Sequence, residues 1–229
     1  MSTGESGDVA PEGPVQITLR PIASSLPLGF FAFCGGTVLL TALEAGWVPP
    51  ADGRPLMVMV LAFVVPLELL AGVFAFLARD SGAATGLTLL GAAWAATAIT
   101  VASGPPGALS PPLAIFLLTL TPMMFAMFAA SLSAKPLFGL LLLAGGCRFA
   151  LTGIYEVTGI AGIEKSAGWL GIPLAAFALY GGLALLLEEG KQRSVLPVGR
   201  RGMARTSLDG DLGHQIRKAS QEPGVRRQL

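Results

Sequence analysis

The chain has 229 residues, of which 53% are hydrophobic and only 13% charged, with a formal net charge of +1. A soluble domain carries about a quarter charged residues, so this composition cannot cover a globule with polar surface, and the mean hydropathy of +0.69 agrees. The near-neutral charge leaves no basic field for nucleic acid, and one histidine with two cysteines gives no support to a disulfide framework or a metal site.

In chain order, residues 1–23 form a polar segment, acidic and rich in Gly, Ser and Pro. No basic stretch leads into a short apolar core, so this segment does not read as a cleavable signal peptide. The first apolar run is expected to act as its own insertion signal. A membrane crossing needs about 20 apolar residues. Six runs reach that length: Leu26–Ala45, Leu56–Ala78, Ala84–Ser103, Leu113–Leu132, Leu137–Val157 and Gly168–Leu187. The breaks between them, such as W-V-P-P-A-D-G-R-P, S-G-P-P-G-A-L-S-P-P and G-I-A-G-I-E-K-S, carry the Pro and Gly that end helices and permit tight connections. The last run opens on A-G-W-L-G from Ala167 and closes on K-Q-R-S-V-L-P-V-G from Lys191, an interfacial Trp and a basic exit. The prediction is an all-α membrane protein, a six-transmembrane-helix bundle over residues 24–190. A basic tail over 191–229, expected to be disordered and to keep His214 solvated, follows it.

Lys and Arg near the span ends set the orientation. With both termini cytoplasmic, the inner segments hold Arg20, Arg79, Lys135, Lys191, Arg193, Arg200, Arg201 and Arg205, and the outer ones only Arg54 and Lys165. The span faces are rich in small residues, including Gly35, Gly36, Gly91, Gly145, Gly146, Gly181 and Gly182, which let helix backbones approach closely in lipid. Cys34 and Cys147 fall inside apolar runs and read as packing thiols.

Three ionisable residues lie within the spans: Glu44 near the end of the first, Glu68 near the middle of the second and Arg148 near the middle of the fifth. A charge at the bilayer centre costs about 3 kcal/mol even on the lenient insertion scale, so such groups face the bundle interior or a wet cavity. Glu68 sits about 15 Å and Arg148 about 16 Å from the same membrane face at 1.5 Å per residue. A Glu68–Arg148 ion pair is therefore expected, either as a static buried pair or as an element that binds an anion or relays a proton, the remaining alternative being no contact between them. Pro66 frees the carbonyl of Ala62. Glu188 and Glu189 close the last helix and are expected at the interface. Catalytic and nucleotide-binding motifs are absent, so neither an enzyme nor a cofactor is expected.

Several short patterns resemble one known family. S-S-L-P-L-G runs from Ser24 to Gly29, with Phe33 after it and L-E-A-G from Leu43 to Gly46. E-L-L-A-G starts at Glu68, L-G-A-A-W ends at Trp94, and V-L-P-V-G runs from Val195 to Gly199. In the acetate uptake transporter family, which includes bacterial succinate–acetate permeases, the corresponding patterns are N-P-A-P-L-G, G-F, H-N-x-G, Q-x-x-A-G, Y-G-x-F-W and V-L-P-V-G. The resemblance covers about Ser24 to Gly199. It implies a six-helix protomer, a hexamer with one pathway per protomer, and transport of acetate and related carboxylates linked to protons. It also implies a narrow point of Phe, Tyr and Leu. Phe33 keeps the Phe, Leu90 replaces the Tyr, and Leu151 is the nearest candidate for the Leu. Departures are Ser24 and Ser25 for Asn-Pro, Glu44 for Asn, Glu68 for Gln, and Arg148 at an apolar position.

The resulting expectation is a transporter or channel for small carboxylates, multi-pass in the plasma membrane. Its pathway would use Ser24, Ser25, Pro27, Gly29, Phe33, Leu90, Trp94 and Leu151, with Glu44, Glu68 and Arg148 as intramembrane charges. The alternatives are a channel for another small solute on the same fold, and a non-transporting membrane scaffold or sensor.

Overall fold

A computed structural model describes residues 22–191 and 195–199. The expectations for the acidic segment before Pro21, for Arg193, for His214 and for the tail beyond Gly199 lie outside the described residues. Six long helices run up and down: α1 Leu26–Glu44, α2 Pro50–Leu77, α3 Ser81–Ser103, α4 Pro111–Ser131, α5 Pro136–Thr158 and α6 Ala161–Lys191. Each is long and apolar enough to span a bilayer. The chain is a multi-pass membrane protein, all-helical among the described residues.

The helix starts follow local chemistry. α1, α4 and α5 each carry proline in the first turn, where the missing N–H has no intrahelical partner to lose. Asp80 caps α3 by accepting from the Ala83 N–H at 3.2 Å, and Ser110 caps α4 by accepting from the Leu113 N–H at 3.4 Å. α5 ends at Gly159, whose left-handed φ of +66° turns the chain into α6.

Two helices start six or more residues before their expected bounds. α2 begins at Pro50 through a tight 3₁₀ turn over Pro50–Asp52, and α6 begins at Ala161 rather than Gly168. Within α2 the backbone widens over Val60–Val64, where the Val65 N–H donates to the Val60 carbonyl, five residues back. Pro66 explains the widening: it has no N–H for the Ala62 carbonyl, and its ring would collide with that oxygen in a regular helix.

The helices close into a ring in the order α1, α2, α3, α4, α5, α6 and back to α1, with α2 on α3, α4 on α5 and α1 on α6 the tightest pairs. α1 is the most enclosed, at 56% buried over its most apolar window against 28% for α4, so α4 turns most of its surface away from the ring. The end where α1 starts and α6 finishes is called here the near end, and the other the far end. At the near end Val195–Gly199 folds back: the Tyr180 hydroxyl donates to the Pro197 carbonyl at 2.9 Å, and Val198 is buried.

Candidate functional site

A broken line of cavities runs along the inside of the ring. The near-end cavity, about 160 Å³, lies between Ser24 and Leu26 on one side and the Asp80–Lys135 ion pair on the other, with Phe30, Phe138 and Val198 on its walls. Phe30 and Phe138 lean together with centroids 6.2 Å apart. One turn further along α1, Phe33 meets Trp94 edge-on, centroids 5.9 Å apart and planes at 65°. Beyond them a second cavity of about 20 Å³ is lined by Phe33, Thr37, Trp94, Thr97, Arg148 and Thr152. That space holds about one water molecule.

The far half is polar, and helical spacing makes it so. Thr37, Thr41 and Glu44 stand at i, i+4 and i+7 on α1 and are all buried. Arg148, Thr152 and Glu156 stand at i, i+4 and i+8 on α5, also buried. The two stripes meet: Arg148 Nη2 donates to Glu44 Oε2 at 2.6 Å, and the Thr152 hydroxyl donates to Glu44 Oε1 at 3.0 Å. Arg148 Nη1 reaches the Thr37 carbonyl at 3.4 Å. Glu156 Oε2 accepts from the Ser110 N–H at 2.6 Å and ties the start of α4 to α5. α6 admits this cluster because residue 171 is glycine. A Cβ there would overlap the Thr41 hydroxyl oxygen and lie 2.9 Å from Arg148 Nη1.

The expected Glu68–Arg148 pair does not form; Arg148 pairs with Glu44. Depth along the membrane normal matched the two residues, but the face of the helix decides contact. Glu68 points from α2 into α3, where its Cβ packs beside Gly91 and the Trp94 indole is the polar group that approaches it. It is fully buried, and neither carboxylate oxygen completes a hydrogen bond.

The other expected pathway residues divide. Phe33 and Trp94 line the central cavity. Ser24 lines the near-end cavity and donates its backbone N–H to Glu189 Oε1 at 3.3 Å. Ser25 is half-buried just before α1, and Pro27 and Gly29 are buried in its first turns. Leu90 is fully buried in the core and Leu151 half-buried, and neither lines these two cavities. Glu188, three residues before the end of α6, is buried. Thr37, Thr41, Thr97, Thr152 and Glu156 complete the polar half. Their signal in the sequence is the recurrence of hydroxyls and charges at one-turn spacing inside apolar runs. Among the described residues, no cluster of His, Cys, Asp or Glu could hold a metal, and the cysteines are free.

A model of the GPR1/FUN34/yaaH family matches residues 6–200. The succinate-acetate/proton symporter SatP of Escherichia coli (strain K12) is 25% identical over 182 residues, 78% of this chain and 96% of its own length. SatP of Shigella flexneri has the same identity and coverage. A solved structure of the bacterial acetate channel SatP shares the fold, with a TM-score of 0.68 at 24% identity over 78% of this chain and all of that one.

Proposed function

The chain belongs to the GPR1/FUN34/yaaH family, and from that premise we propose that it carries acetate and related small carboxylates across the plasma membrane. The observation that carries this reading is the conduit inside one protomer, apolar at its waist and cationic just beyond. The apolar walls suit a short hydrocarbon tail, and Arg148 suits a carboxylate head. The Phe33–Trp94 contact is the barrier, since an apolar constriction of this kind excludes water and ions until the rings part.

The positive-inside bias supports a cytoplasmic near end, where Asp80, Lys135 and Val198 surround the first cavity. Assembly into a hexamer with one conduit per protomer is part of the same proposal. Proton linkage is its finest element. The relatives are described in one case as a symporter and in another as a channel. Glu44, buried and bonded to the cavity-lining Arg148 and Thr152, is the carboxyl group placed to carry a proton along this route. The test is uptake of labelled acetate into proteoliposomes with and without an inward proton gradient, corrected for protein-free liposomes. A saturable excess that grows with the gradient supports linked transport, and an excess indifferent to it supports a channel. No excess refutes both.

A further inference from the structure

The far half of the conduit holds more hydrogen-bonding capacity than the protein uses. A guanidinium offers five N–H donors. In Arg148 one nitrogen holds Glu44 and one makes a long contact to the Thr37 carbonyl, while Nε, fully buried, has no partner among the described residues. The hydroxyls of Thr37 and Thr41, also buried, are likewise without partners there. Leaving buried donors unmatched is costly, and folded proteins rarely do so without a reason. Arg148 and Thr37 both line the central cavity, next to the Phe33–Trp94 waist. A planar anion with two acceptor oxygens complements such a set of donors. Glu44 already sets one such carboxylate against the same guanidinium, its oxygens engaged by Arg148 Nη2 and by the Thr152 hydroxyl while Nε and the Thr37 hydroxyl stay unmatched.

We propose that Glu44 is a tethered stand-in for the solute: it occupies Arg148 while the conduit is closed, and an incoming small carboxylate takes Arg148 Nε–H and the Thr37 hydroxyl in competition with it. Arg148 then determines selectivity for a carboxylate over a neutral molecule of the same shape. Glu44 sets how long the anion stays. A lone buried cation would hold an anion too tightly for transport, and conduction requires binding strong enough to enter yet weak enough to leave. Gly171 makes the arrangement possible by leaving room on α6 for the guanidinium. The inference rests on the reading of the chain as a carboxylate pathway and deepens it.

The test compares protein-dependent uptake of labelled acetate and of its neutral analogue acetamide into proteoliposomes. Wild type is expected to prefer acetate. Glu44→Gln keeps the side chain's shape and removes the competing charge, so the apparent KM for acetate is expected to fall about tenfold, the scale of one charge-assisted hydrogen bond. A purely structural Glu44 predicts the opposite, and an unchanged or raised KM overturns the proposal. In the uncharged pair Glu44→Gln/Arg148→Met the ratio of acetate to acetamide uptake is expected to collapse toward unity. A ratio kept at the wild-type value overturns the role given to Arg148. Should the double variant not fold, Glu44→Gln alone decides. Absence of acetate uptake in wild type is a separate outcome that removes the transport reading and this proposal with it.

Discussion

Gly171→Ala probes the polar half of the conduit from the helix that carries none of its charges. The added methyl would overlap the Thr41 hydroxyl and come within 2.9 Å of Arg148 Nη1. Over-packing of a filled interior costs about 1–3 kcal/mol. If the guanidinium is pushed off Glu44, a buried pair is broken, which costs about 3–5 kcal/mol more. Exchanging Gly for Ala in a helix interior also gains about 1 kcal/mol of propensity, and a control on the same helix removes part of that term. Gly162→Ala is the control, since a Cβ at that position meets no atom within 4 Å. Gly162 lies in the first turn of α6, where the gain is smaller, so the difference gives the clash, about 1–3 kcal/mol with the pair intact and about 4–8 kcal/mol with it broken, less an offset of up to about 1 kcal/mol. SDS-induced unfolding in mixed micelles measures that difference. Equal unfolding midpoints for the two variants would refute the packing of Thr41 and Arg148 against α6.

Other outcomes follow from the same geometry. Trp94→Ala removes half of the waist and is expected to raise acetate uptake and admit larger carboxylates; a folded variant with unchanged rate and size limit would place the barrier elsewhere. Glu68→Leu replaces a fully buried carboxyl lacking hydrogen bonds with an apolar group of similar volume, so stability should rise by about 1–3 kcal/mol, read from the same unfolding midpoints. A fall would mean that Glu68 has a partner in the folded protein. Asp80→Ala loses the α3 cap, worth about 1 kcal/mol, whereas Lys135→Ala removes only a half-exposed ion pair worth about 0–1 kcal/mol. A larger loss for Lys135→Ala than for Asp80→Ala in that unfolding assay would overturn this ordering.

Much of the fold was readable in the sequence because a bilayer imposes a length on every apolar run. The helix starts at Pro50 and Ala161 were not. Pro49-Pro50 and Pro55 look like breakers, yet proline is tolerated in a first turn. Gly159 does break the chain, but the helix restarts two residues later and carries Glu164 and Lys165 within it. At the candidate site, the constriction was expected from Phe33, Leu90 and Leu151, whereas the side chain that meets Phe33 beside the central cavity is Trp94. The ion pair was misassigned because depth is one coordinate of two. Glu68 and Arg148 match in depth and differ in azimuth. Glu44 shares its face of α1 with Thr37 and Thr41, and Arg148 shares its face of α5 with Thr152. Reading polar residues at one-turn spacing across α1 and α5 would have paired these faces.

The most direct measurement sets two tryptophan substitutions on α3 against each other in acetate uptake by proteoliposomes at neutral pH. Thr97→Trp fills the central cavity, which Thr97 lines, whereas Ile99→Trp adds the same bulk to an exposed position on the same helix. Wild type and Ile99→Trp are expected to show the same saturable, protein-dependent uptake, and Thr97→Trp, purified as the same folded species, to show none. Undiminished uptake by Thr97→Trp, or none by wild type, would contradict a carboxylate route through the centre of the ring.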